Sequence, residues 1–187
     1  MATASADPDS EATSRVWAAS VLAELDRQEG TTALETLADD RLLDEEFNED
    51  PHSPDFSDRL LAARRLLELD RPRGEDACYR LVHDPDLYDS VRVRAAAVLL
   101  SSGDERACRA LEHLAGAADL HFDDRLDAAR QLATLDPEAA VHSLHRLIEN
   151  YRGDPDWLDW CIAAAQTLDD LGDPRGRKIT DEFSTGI

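Results

Sequence analysis

The sequence predicts an all-α protein built as a solenoid of helix pairs, on three observations. Apolar residues make up 42% of the 187, but aromatics only 5%. Ala and Leu supply most of that apolar content and are strong helix formers, while the strand-favouring Val and Ile are scarce. The chain also repeats itself: 59–70 reads RLLAARRLLELD and 125–136 reads RLDAARQLATLD. Within each copy the apolar residues recur at i, i+3 and i+4, the period of one helix face.

The second Ala of each Ala-Ala pair anchors the repeat. The anchors are Ala19, Ala63, Ala96, Ala129 and Ala165, separated by 44, 33, 33 and 36 residues. Periods of this size belong to stacked arrays of supersecondary units. Arg15, Arg59, Arg92 and Arg125 stand four residues before their anchors and read as structural links between neighbouring units, with Cys161 breaking the column in the last copy. Leu22, Leu66, Leu99, Leu132 and Leu168 stand three after. Asp26, Asp70, Gly103, Asp136 and Gly172 stand seven after and end the first helix of each unit. An aromatic precedes four of the helices: Phe56, Tyr88, Phe122 and Trp157.

A second helix follows in each unit. It is marked by Ala33, Ala77, Ala107 and Ala140, with Leu37, Leu81, Leu111 and Leu144 four residues on; Gly176 takes the Ala position in the last unit. Asp136 is a good N-cap and Pro137 fits the first turn behind it. The units run over about 14–38, 56–84, 88–115, 122–150 and 157–183 in one repeat domain, 14–187. Residues 1–13 are polar and are expected to be a disordered tail. One helix pair cannot bury its own apolar face, so stacking must supply the core, with the end units as caps.

The segments D58-R-L-L-A-A-R-R-L-L-E-L-D70, S90-V-R-V-R-A-A-A-V-L-L-S-S-G-D104, D124-R-L-D-A-A-R-Q-L-A-T-L-D136 and A163-A-A-Q-T-L-D-D-L-G-D173 resemble HEAT-like repeats, the armadillo-type α-solenoids, of the short kind found in bacterial proteins. The resemblance spans roughly 14–183. The Trp–Leu–Gly–Tyr signature of the similarly sized TPR repeat is missing. The resemblance implies a right-handed solenoid of about five helix pairs whose second helices line a concave face. It also implies, for most such arrays, binding of another protein. The His-Glu dipeptides that ligand iron in HEAT-like hydroxylases do not occur in this sequence.

The formal net charge is −21, which repels nucleic-acid backbones and anionic membranes. Direct nucleic-acid or membrane binding is therefore not expected, although mimicry of nucleic acid stays open. No apolar run approaches the roughly 20 residues that span a bilayer, and the N-terminus lacks the basic and apolar regions of a secretory signal. Cys78, Cys108 and Cys161 are far apart and lack CxxC spacing, which fits a reducing cytoplasm without a disulfide framework or zinc site. Cys78 and Cys108 each follow a second-helix Ala, where the fourth unit has Val141, and are read as core residues. Neither a cofactor nor a metal is expected, and no catalytic motif occurs.

Two regions are candidates for contact. Two and six residues after each second-helix Ala lies a ridge. In the middle units it collects Tyr79, with Arg80 next to it, His83, Arg109, His113, His142 and Arg146. Such a positive strip in an acidic chain suits an anionic peptide or protein tail; the plainer reading has its Arg and His pair with nearby carboxylates. The other region is the insertion 39–55 that stretches the first spacing. There Asp44, Glu45, Glu46, Glu49 and Asp50 belong to a run of eight carboxylates against Arg41. A short helical piece over 41–47 is expected, then a loop, since Pro51 and Pro54 forbid a continuous helix. The insertion reads as a solvated loop, as a contact for a basic partner or as a divalent-cation site, the last without the EF-hand ligand order.

His142 and His145 have metal-compatible spacing but no evident third ligand, and read as a surface pair. Trp157 and Trp160 share a helix face and read as a core cap or a partner anchor. The expected function is a non-catalytic, cytoplasmic protein-binding adaptor or regulator, favoured as a monomer. The alternative is an acidic inhibitor or immunity-type protein that masks a basic surface, supported by 15 acidic against 3 basic residues over 1–57.

Overall fold

The computed structural model describes residues 12–43 and 57–185. Among these there are ten α-helices, two short 3-10 turns and no strand. None of the described helices is long and apolar enough to cross a membrane. The chain forms two compact units that divide after Asp104, in the turn that follows the third Ala-Ala helix.

The first unit holds α1 (Ala12–Leu25), α2 (Arg27–Asp39), a 3-10 turn (Arg41–Leu43), α3 (Asp58–Leu69), α4 (Arg71–Val82) and α5 (Asp89–Ser102). Each helix packs on the next, and α1, α2 and α3 also touch the next but one. The second unit holds α6 (Ala107–Gly116), α7 (Phe122–Leu132), α8 (Pro137–Tyr151), a 3-10 turn (Pro155–Trp157), α9 (Leu158–Asp170) and α10 (Pro174–Thr185). It packs in the same sequential way, with α6 also on α8 and α7 also on α9.

The repeat columns become the core. All five anchor alanines are at most 1% exposed, and Leu66, Leu99, Leu132 and Leu168 are fully buried. A small side chain at the anchor lets the helices close together, and the following Leu fills the space between them.

The Asp or Gly column makes the turn inside each unit in two ways. Asp26, Asp70 and Asp136 each donate their own N–H to the Leu four residues back, at 2.7, 2.7 and 2.8 Å. Their carboxylates then accept from the N–H groups of Glu29, Arg73 and Ala139 and so cap the next helix. One residue thus ends one helix and begins another. Gly103 and Gly172 instead adopt φ of 75° and 82°, with Asp104 and Asp173 donating to the Leu99 and Leu168 carbonyls, five residues back, in the Schellman pattern.

The second helices begin with a close approach to their partners. A Cβ on Gly30 would lie 2.2 Å from Ala23 N, on Gly74 2.2 Å from Leu67 Cα, and on Gly176 2.4 Å from the Ala165 carbonyl. These glycines stand four residues after Asp26, Asp70 and Gly172, as Ala107 and Ala140 stand four after Gly103 and Asp136. The structural register of the first two units therefore starts at Gly30 and Gly74, three residues before the Ala33 and Ala77 expected from sequence.

Arginines join successive units through backbone carbonyls, in agreement with their reading as links. Arg59 Nε donates to Ala38 O at 3.0 Å, Arg92 Nε to Val82 O at 3.1 Å and Arg125 Nε to Ala115 O at 3.4 Å. All three are nearly buried, at 5, 4 and 2% exposure. Each reaches back from a first helix to the last turn of the second helix before it. That turn carries unpaired carbonyls and the negative end of the helix dipole, so a cation there is favoured. A second set reaches forward: Arg27 donates to Leu69 O and Arg71 to Ser102 O, at the ends of α3 and α5. Arg15, in the first helix, pairs with Asp40 at 3.4 Å.

Candidate functional site: the exposed rows of the second helices

In the second unit, α6 and α8 pack against each other. Ala107, Ala110, Leu111 and Leu114 of α6 are buried, as are Ala140, Ser143, Leu144, Leu147 and Ile148 of α8. The periodicity that buries one side places Arg109, Glu112 and His113 on the open side of α6. On α8 the open side carries Glu138, His142, Arg146 and Glu149. Arg109 and His142 hold matching repeat positions, as do His113 and Arg146. No described carboxylate lies within ion-pair distance of Arg109 or Arg146, while most other arginines are engaged. Two available guanidiniums stand here on neighbouring helices of an acidic chain. Planar five-donor cations of this kind suit bidentate recognition of carboxylates.

The first unit treats its row differently. Arg80 is exposed but forks onto Asp39, with Nε–Oδ1 at 3.0 Å and Nη2–Oδ2 at 3.2 Å, and lies 3.9 Å from Glu35. Here the plainer expectation, pairing with a neighbouring helix, is what the structure has. Tyr79 is half-buried and touches His83 edge-on at 4.6 Å between centroids, and His83 is the exposed C-cap of α4. In the register that starts at Gly74, Arg80 matches His113 and Arg146. Tyr79 and His83 lie three residues beyond the matching positions.

Asp44, Glu45, Glu46, Glu49 and Asp50 lie outside the described residues. So does most of the helical piece expected over 41–47, whose described part is the 3-10 turn Arg41–Leu43. Arg41 ties that turn to the end of α4 through Asp86 and, at 3.8 Å, Asp84.

No protein-family model, curated protein or solved structure matches this chain. The site therefore stands on its own geometry.

Among the described residues no three His, Cys, Asp or Glu side chains gather as a metal site would require. His142 and His145 are not a pair. His142 is exposed, whereas His145 is 18% exposed and its Nε2 lies 2.9 Å from Asp173 Oδ2. Asp173 is buried, with Arg175 donating to it from the backbone and the guanidinium, the latter at 2.6 Å. The Arg175 hydrogen bonds hold its carboxyl well below the usual carboxylate range; burial opposes them and His145 assists. This cluster fastens α8 to the start of α10. A sequence separation of 28 between His145 and Asp173 hides it from sequence inspection.

The cysteines belong to the interior, as expected for Cys78. It is fully buried, and burial pushes its thiol up to about 12. In the structural register it matches Leu111 and Leu144, not Cys108. Cys108 is half-buried and Cys161 buried, both with thiols raised by desolvation. Thiolate chemistry at neutral pH is disfavoured at all three. Trp157 stacks near Phe122 at 5.9 Å and lies 4.9 Å from Tyr151, and Trp160 lies 6.2 Å from Phe122. Phe122 is fully buried while Trp160 remains 41% exposed. The pair covers the core at Phe122 and leaves one edge to solvent.

Proposed function

We propose that this protein is a non-catalytic, cytoplasmic adaptor or regulator, a right-handed HEAT-like α-solenoid of about five helix pairs. It grips an acidic segment of another protein along its second helices. The observation that carries this is the pair Arg109 and Arg146, exposed on packed helices without a described carboxylate partner. His113 and His142 flank them and add positive charge when protonated. The sequential helix packing and the repeated core columns support the solenoid reading.

The charge asymmetry favours a second reading, an acidic inhibitor or immunity-type protein. Residues 1–57 carry 15 acidic and 3 basic side chains, a net −12, which leaves −9 for the rest. Such a surface covers a basic, nucleic-acid-binding face of a partner enzyme.

One experiment separates them. Tagged wild type and an Arg109→Glu, Arg146→Glu variant are used to capture partners from a native lysate at low and high salt. The adaptor reading expects an acidic partner that the variant loses. The inhibitor reading expects a basic partner, held as well or better by the variant and released by salt.

A further inference from the structure

We infer that α1 is a self-association face through which two copies of this chain pair, apart from the second-helix rows. Trp17 is 68% exposed and Leu25 83% exposed. With half-buried Val21 between them, they follow at i, i+4 and i+8 and form one stripe along the helix. Large apolar side chains aligned on an exposed face mark an interaction site in a way that scattered ones do not.

The sibling units make the stripe unusual. At the same three repeat positions the second unit places Arg65, the third Arg94, the fourth Asp127 and the fifth Thr167. Only the first helix is apolar at all three.

Charge identifies the occupant. The chain is 33% charged, yet the 14 residues of α1 include only Arg15 and Glu24, and Arg15 is turned onto Asp40. A basic partner is drawn to carboxylates, which this stripe lacks. Two copies, each of net charge −21, repel across most of their surfaces, and a nearly uncharged apolar stripe is where they can meet. An antiparallel pairing about Val21 sets Trp17 of one copy over Leu25 of the other. It closes on itself as an isologous contact and places opposite helix-dipole ends together. A single helix face is small beside the roughly 1,200–2,000 Å² of standard interfaces, so the dimer is concentration-dependent. Salt strengthens it by screening the mutual repulsion.

The test is sedimentation velocity on the full chain across a concentration series at low and high salt. Wild type should shift from 20.7 kDa towards twice that mass as concentration rises, and at lower concentration when salt is high. The Trp17→Glu, Leu25→Glu variant should stay at the single-chain mass with an unchanged thermal melt, since both side chains are exposed. Under mild oxidation Val21→Cys should form a linked dimer much faster than Arg64→Cys on α3. A monomer at every concentration and salt overturns the proposal. So does a dimer that persists in the double variant, or one that salt dissociates.

Discussion

Arg59 and Asp84 form a buried ion pair, 2.8 Å apart and with side chains 6 and 8% exposed, while the same guanidinium donates to the Ala38 carbonyl at 3.0 Å. One side chain thus closes the end of α2 and neutralises a carboxylate beyond α4. Burial alone raises the Asp84 carboxyl, but the Arg59 hydrogen bond, helped by the Asp86 N–H, holds it below its ordinary value. An ammonium lacks the planar fork that serves both contacts at once.

Asp84→Ala should therefore destabilise the protein by about 3–5 kcal/mol, because it removes a buried carboxylate that pairs with a buried guanidinium. Glu68→Ala removes the exposed Arg65–Glu68 pair, with side chains 52 and 63% exposed, and should cost about 0–1 kcal/mol. Urea unfolding of both variants checks the contrast; equal losses would contradict the role given to Arg59.

Gly74→Ala and Gly116→Ala should move in opposite directions. A Cβ at Gly74 meets the Leu67 backbone at 2.2 Å, whereas nothing lies within 4 Å of one at Gly116. Forcing α3 and α4 apart should cost about 1–3 kcal/mol or more. The Gly116 change should be neutral or stabilise by up to about 1 kcal/mol. Thermal melts decide, and a tolerated Gly74→Ala would overturn the register that begins at Gly30 and Gly74.

Acid should weaken the fold through Asp84 and Asp173. Both carboxyls are held below their usual range when folded, so their stabilisation is present above an unfolded value of about 4 and is lost as pH falls below it. Asn still caps a helix but does not ionise. Asp173→Asn should thus lower stability at pH 7, and its difference from wild type should shrink steadily on acidification below about pH 4. A difference independent of pH would contradict the ionic role of Asp173.

The first-helix columns were legible because they are local and periodic: Ala63, Leu66 and Asp70 recur at fixed offsets, and burial and capping follow. The Arg59, Arg92 and Arg125 column was legible as a link, though its carbonyl targets were not. The register of α2 and α4 was obscured because Ala33 and Ala77 mimic the helix-packing alanines, while a glycine inside a helix is by itself only a weak helix former. A close approach depends on the partner helix, which composition does not contain. The forward links from Arg27 and Arg71 were missed although both follow a capping Asp; the Asp-Arg dipeptide was the available signal. His145 and Asp173 meet only because α8 and α10 are folded together. Of the seven ridge residues, Arg109, His113, His142 and Arg146 fall at matching positions on α6 and α8, and the neutralised Arg80 shows how differently the first unit uses its row.

The most direct test of partner binding is titration calorimetry of the captured acidic segment with wild type and with the Arg109→Glu, Arg146→Glu variant. Removing two charge-assisted contacts, each worth about 1.5–3 kcal/mol, predicts an affinity weaker by at least about a hundredfold with an unchanged thermal melt. Equal affinity for both proteins would contradict a partner-binding role for the second-helix rows.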